Sequence, residues 1–385
     1  MIAVFWTMIF IVFYTFIGYG ILLYLLVKIR GSSISRKVYE EHSLPHLTHL
    51  IAAYNEEDFI EEKISNSLAL DYPSEKYDLW VVTDGSTDLT PEIVKKYPRV
   101  RLFHKDERMG KIHAVNRVMQ DVTTPIVVYS DANTTLNPAA LKNMVRHYND
   151  SEVGCVAGEK RVRQSGKDSS TASEGFYWKY ESFLKKYDYQ LYSVVGAAGE
   201  LFSIRTQLFE EVDKETLIED FYLSLKIASK GFKTAYEPEA YAEENSSESI
   251  REESKRKVRI AAGGFQAMWK LRRLLNIFKY GWLSFQYISH RVLRWAVTPF
   301  LLPIILLLNY WLAIDSLFYR FIFIVQTLFY IAAVAGFLLQ RIEIKVKALF
   351  IPFYFTFMNV SVYRGLIRYL KGSQSVLWER AARKK

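Results

Sequence analysis

Apolar and polar positions divide this chain into two kinds of territory. Residues 1–27 carry no charge before Lys28 and Arg30 close the run, and a helix of that length extends about 40 Å, enough to cross a bilayer with some tilt. Between about His46 and Tyr241, short β-branched or aromatic runs alternate with amphipathic ones. Strands are predicted at 47–53, 78–83, 100–104, 125–130 and 153–158, and helices at 56–70, 90–97, 111–119 and 138–148, with Asn137 as a cap and Pro138 in the first turn. This alternation predicts an α/β domain with a mostly parallel, Rossmann-like sheet. The charged, serine-rich stretch 243–253 reads as a mobile loop leading to a helix.

Past Arg291 the membrane pattern returns. Residues 295–314 and 321–340 are uncharged runs of spanning length, separated by a turn with Asp315 and Arg320. Residues 274–294 mix aromatics with Lys279, His290, Arg291 and Arg294, which predicts an interfacial amphipathic helix. The last apolar stretch, 348–363, is short and holds Pro352 and Asn359. A third C-terminal span is favoured there, with a re-entrant or interfacial helix as the alternative, because the basic tail that follows belongs on the cytosolic side. The expected organisation is thus an anchor at 1–30, a cytosolic domain at 31–273, an interfacial helix at 274–294, two or three spans within 295–363 and a basic tail at 364–385.

Composition adjusts this picture in three ways. With 385 residues, half of them hydrophobic, the chain has room for one large domain and several spans. Positive residues follow the first apolar run, placing Met1 outside and the domain in the cytosol of a cell (inner) membrane protein, and the single Cys155 excludes an internal disulfide. Cys155 lies in an apolar strand-like run and reads as buried and structural. The net charge of +9 gathers beside apolar spans and in 251–273 without a nucleic-acid motif, so membrane lipids and diphosphates, and no nucleic acid, are the expected partners.

Candidate chemistry sits where an α/β sheet gathers ligands, after the strands. Tyr54-Asn55-Glu56-Glu57 follows the first strand and Asp84-Gly85-Ser86-Thr87-Asp88 the second, short polar groups suited to a base and ribose but equally to turns. Arg108-Met109-Gly110-Lys111 opens a helix and offers charge to an anion. Asp131 and Asn133 end an apolar strand and present two oxygen ligands suited to Mg²⁺ or Mn²⁺. Gly196-Ala197-Ala198-Gly199-Glu200 is a small-residue turn that lacks the pattern of a dinucleotide site. Glu219-Asp220 opens a helix, where Asp220 alone reads as a cap, and Arg256 and Arg259 stand three apart on a helical face able to clamp a diphosphate.

In order and spacing these motifs resemble the family-2 glycosyltransferases, the group that includes membrane synthases of cellulose, chitin, hyaluronan and poly-N-acetylglucosamine. The resemblance implies a GT-A fold, with Tyr54, Glu56 and Asp84 on the nucleoside and Lys111 near the nucleotide. It puts Asp131 and Asn133 on a divalent cation and diphosphate, and makes Asp220 of the Glu219-Asp220 pair the base of an inverting displacement. Asn133 stands where the family has a second Asp. At the family's Gln-x-x-Arg-Trp motif this chain has Arg256-Lys257-Val258-Arg259-Ile260, which keeps the arginine and lacks the glutamine and tryptophan.

The resemblance therefore implies addition of one or a few sugars, with a UDP-sugar as favoured donor, to a lipid-linked or glycan acceptor in cell-surface polysaccharide or glycolipid synthesis. Polysaccharide-assembly proteins are then possible partners. The alternatives are a processive synthase that exports its product, transfer to polyprenyl phosphate, and a non-catalytic nucleotide-sugar-binding scaffold.

Overall fold

The computed structural model describes residues 1–32, 44–163, 169–245, 249–341, 344 and 346–372, with 169–177 described as backbone. Among the described residues, eight strands form one sheet: β1 (Leu47–Ala53), β2 (Tyr77–Thr83), β3 (Val100–Phe103), β4 (Ile126–Asp131), β5 (Thr134–Leu136), β6 (Val153–Arg163), β7 (Leu201–Arg205) and β8 (Lys233–Asn245), in the order β3-β2-β1-β4-β7-β6-β8-β5. The half built from β1 to β4 is parallel, whereas β7 runs antiparallel to both β4 and β6.

Helices α1 (Ile2–Phe13) and α2 (Tyr19–Arg30) precede the sheet. Within the domain come α3 (Ile60–Leu68), α4 (Thr90–Lys95), α5 (Lys111–Met119), α6 (Ala140–Val145), α7 (Ser169–Leu191), α8 (Glu219–Ser229) and α9 (Ile250–Lys270). Then follow α10 (Ile277–Tyr280), α11 (Trp282–Tyr287), α12 (Thr298–Asp315), α13 (Leu317–Arg341) and α14 (Lys347–Leu370).

All of β1 is buried because helices cover both faces of the sheet. Alternation then divides its side chains between two cores: Leu47, Ile51 and Ala53 pack with α3 and α6, Leu50 and Ala52 with α5 and α8. Cys155 lies fully buried in the second core, where burial pushes its thiol up to about 12, so a structural role fits. β1, β2 and β4 end in register, Ala52 beside Asp131 and Ala53 beside Thr83, so the loops after them share one edge.

Several expected boundaries move. Asn137 does not cap α6; its amide bonds Tyr241 N and Glu239 O, tying the chain before the helix to β8. The stretch 243–253 is largely ordered as the end of β8 and the start of α9, whose first turn Ser249 caps by accepting from Glu252 N; its residues 246–248 lie outside the described set. β5, β7 and β8 escape a strand reading because each is short, interrupted by glutamates or close to glycines.

Among the described residues, three helical stretches are long and apolar enough to cross a membrane: Ile2–Arg30, Trp282–Asp315 and Leu317–Arg341. The segment 274–294, expected as one interfacial helix, is divided in the structure between short turns, α10 and the start of a longer helix. Most of it belongs to the continuous helix from Trp282, and His290, Arg291 and Arg294 pack against acidic partners. Fully buried His290 bonds Asp188 Oδ2 at 2.7 Å and Glu181 Oε1 at 3.1 Å, while Arg291 and Arg294 each meet Glu181 at 2.9 Å. Tyr19 donates to Asp188 Oδ1 at 2.5 Å. Buried charges persist when paired, and this set fastens the first apolar helix and the helix from Trp282 to α7.

α14 is not among the three candidate spans. Phe353 packs on Phe337 near the end of α13, and farther along Gly365 meets α9 so closely that a Cβ would stand 2.5 Å from that of Ala261. The helix thus runs from the end of the α12–α13 hairpin to the α/β domain. The tail beyond residue 372, including Val376-Leu377-Trp378-Glu379-Arg380, lies outside the described residues.

Candidate active site

The site starts at the shared edge of β1, β2 and β4. Asn55, at a left-handed φ of 53°, donates to Thr87 Oγ1 and accepts from Thr87 N, while Glu56 N donates to Thr90 and Glu57 N to Asp88. The two polar loops therefore brace each other. Asp84, nearly buried, accepts from Met109 N at 3.1 Å and Gly110 N at 2.6 Å, with Gly110 at φ 99°. Its carboxylate fixes the turn that delivers Lys111 to the start of α5. Arg108 lies over the Tyr54 ring at 3.9 Å.

A cleft of about 290 Å³ opens beyond this edge, lined by Glu56, Lys111, Asp131, Asn133, Glu219, Asp220, Arg256 and Arg259 among others. Sequence reading singled out all eight. Tyr54 and Asp84 stand outside its walls. Lys111 Nζ lies 2.9 Å from Asp131 Oδ1 and 2.7 Å from Glu219 Oε1. Burial alone would lower the lysine, but the two carboxylates hold it above its usual range, and Lys111 in turn holds Glu219 low against its own burial.

Asp220 behaves oppositely. Desolvation and then the neighbouring Glu219 charge push its carboxyl up to about 7, against the pull of Lys111 and the Phe221 backbone. Asp220 is in the first turn of α8 behind Ile218, so it does not cap the helix. Gly199 leaves room beside it: a Cβ there would stand 3.4 Å from Asp220 Oδ2. A half-buried carboxyl that titrates near neutrality in a cleft is suited to taking a proton.

The Arg256 and Arg259 pair is divided by the fold. Arg256 bonds Glu200 at 3.0 Å and Glu244 at 3.5 Å, in a buried network with Lys160 that holds Glu200 well below the ordinary carboxylate range. Its charge is paired with carboxylates, so of the two arginines expected to act together only Arg259 lacks an ion pair among the described residues. Arg259 forms no ion pair among the described residues, and its buried Nε has no hydrogen-bond partner there. Its side chain lines the cleft.

Asp131 and Asn133 supply hard oxygen donors to the cleft, and no group of three His, Cys, Asp or Glu among the described residues could hold a metal by itself. That donor set fits Mg²⁺ or Mn²⁺ carried in with phosphates, since such ions take one or two protein carboxylates and complete their shell from substrate oxygens. Trp178, Glu181, Lys185, Arg291, Trp295 and Met358 also line the cleft. They escaped the sequence reading because they come from remote helices that no short motif marks.

Gly196 supports this arrangement with φ 91°, and a Cβ on it would lie 2.2 Å from Phe221 Cδ2. Gly196→Ala is expected to destabilise the protein by about 2–4 kcal/mol through backbone strain and overpacking, read as a lower melting temperature in detergent. An unchanged melting temperature would contradict the packing.

A cleft lined by acidic and cationic groups at the carboxyl edge of the strands is where open α/β sheets gather their ligands. Residues 48–213 match the family described as Glycosyl transferase family 2. The chain is 28% identical over 272 residues to the poly-beta-1,6-N-acetyl-D-glucosamine synthase of Staphylococcus aureus (strain MSSA476), covering 68% of this chain and 64% of that protein, short of two thirds of its length. Over 201 residues it is 28% identical to the beta-monoglucosyldiacylglycerol synthase of a Nostoc species, covering 48% of this chain and 42% of that one. The mannosyltransferase PcManGT from Pyrobaculum calidifontis, solved in complex with GDP-Man and Mn²⁺, superimposes with a TM-score of 0.72 at 22% identity, covering 97% of this chain and 99% of that one. This likeness establishes the GT-A fold expected from the sequence and its attached helices.

Proposed function

We propose that the protein is an inverting glycosyltransferase that moves a sugar from a nucleotide-sugar donor to a lipid-linked or glycan acceptor in cell-surface polysaccharide or glycolipid synthesis. The observation that carries this reading is Asp220, a cleft carboxyl pushed up to about 7 and set beside the Lys111–Glu219 pair. In this reading Asp220 takes the proton of the acceptor hydroxyl as that oxygen attacks the anomeric carbon. The bond from that carbon to the diphosphate breaks with inversion, and the departing charge meets Lys111 and Arg259. Single displacement needs one such base, and Asp220 returns its proton to solvent afterwards.

Asp131 and Asn133 would hold Mg²⁺ or Mn²⁺, which supplies neutralisation of the leaving diphosphate when bound. Because Asn133 is neutral, affinity for the ion should be modest. Chelation is expected to lower nucleotide release at least about tenfold, with recovery on adding Mn²⁺ or Mg²⁺. Activity indifferent to chelator would assign the leaving charge to Lys111 and Arg259 alone.

Tyr54 and Glu56 are assigned to the nucleoside, and Asp84 acts there through the turn it anchors. In the membrane, three crossings with the domain on the cytosolic side would return the chain to that side after α13. Such a path keeps the basic tail cytosolic, in agreement with the charge rule. Release of free nucleotide across a panel of UDP-, GDP- and TDP-sugars tests the reading, and no release from any of them would overturn it.

A further inference from the structure

The cleft is not walled by the catalytic domain alone. Trp295 reaches it from the helix that starts at Trp282, and Met358 and Val362 reach it from α14. The Trp295 ring packs 5.5 Å from that of Phe221, the residue after Asp220, and Arg291 lies 5.9 and 5.8 Å from the two ring centres. Gly264 makes space for the indole, since a Cβ there would stand 2.4 Å from it. α14 is pinned at the same place by its Gly365 contact with Ala261, and by Tyr363, which donates to Pro299 O at 2.6 Å.

An indole, a thioether and a valine thereby line the same cleft as Asp220. Hydrocarbon gains from burial against such a wall in proportion to the apolar area it removes from water. The two helices that supply it also join the domain to the membrane-length hairpin.

Resting on the transfer reading above, we propose that Trp295, Met358 and Val362 form the acceptor subsite. The acceptor is an amphiphile resident in the membrane, which presents a hydroxyl on its polar head to Asp220 while its apolar part passes between the Trp282–Asp315 helix and α14. The acceptor oxygen forms the new bond to the anomeric carbon, its proton goes to Asp220, and nucleoside diphosphate leaves.

The test uses membranes containing the full chain, incubated with radiolabelled UDP-glucose, UDP-N-acetylglucosamine and GDP-mannose and then extracted with chloroform–methanol. Label should enter the organic phase. Trp295→Ala and Val362→Trp should each lower the ratio of organic-phase label to free sugar at least about tenfold, with Trp295→Phe recovering most of it. Label found only in water-soluble or ethanol-insoluble glycan, or ratios unmoved by both variants, would overturn the subsite while leaving transfer intact. Absence of any nucleotide release would instead sink the transfer reading and this inference with it.

Discussion

Asp220→Asn lowers sugar transfer by about 10³-fold while donor affinity stays within about twofold: this is the largest effect expected of any single substitution here. The amide is isosteric and cannot accept the acceptor proton, yet it keeps the packing beside Gly199 and the first turn of α8. Loss of a charge already disfavoured by burial and by Glu219 should not unfold the domain. Donor binding is read by calorimetry and transfer by product formation in the same preparation. Turnover within tenfold of the native protein would remove Asp220 from its role.

Lys111→Met is expected to have the next largest effect, a loss of about 10²–10³-fold, typical of removing a fixed positive group facing developing negative charge. Its consequences extend beyond the leaving group. Without the lysine, Asp131 and Glu219 face the cleft unpaired, and Asp220 loses a charge that draws its pKa down. Residual activity should therefore need a more alkaline medium than the native enzyme. A pH profile of the variant checks this, and a limb unmoved or displaced toward acid would contradict the arrangement of charges.

Much of this site was legible in sequence because its parts lie immediately after strands. β1, β2 and β4 are short, apolar and parallel, so Glu56, Asp84 and Asp131 fall on one edge whatever the loops do in detail. The helix from Lys111 began where Gly110 permits the turn, as expected. Other features depend on tertiary packing. Nothing in the local pattern says that Asp84 would hold the 109–110 turn, or that Arg256 would be absorbed by Glu200 and Glu244 while its neighbour three residues on stays available.

The helical region was the harder case. His290, Arg291 and Arg294 look like the polar face of a surface helix, because a sequence does not reveal Glu181 and Asp188 arriving from α7 about a hundred residues earlier. Likewise Trp295 looks like an ordinary membrane aromatic until Gly264 and Phe221 are seen beneath it.

The measurement that tests the central claim most directly is the pH dependence of single-turnover sugar transfer in the full-length protein. Below its pKa Asp220 carries a proton and cannot accept another; above it the carboxylate is free. The rate should rise through a midpoint near 7, reach about a tenth of its plateau one unit below, and level off above, with that limb missing in Asp220→Asn. A native rate that is flat between about pH 5 and 8 would contradict the assignment of Asp220 as the base.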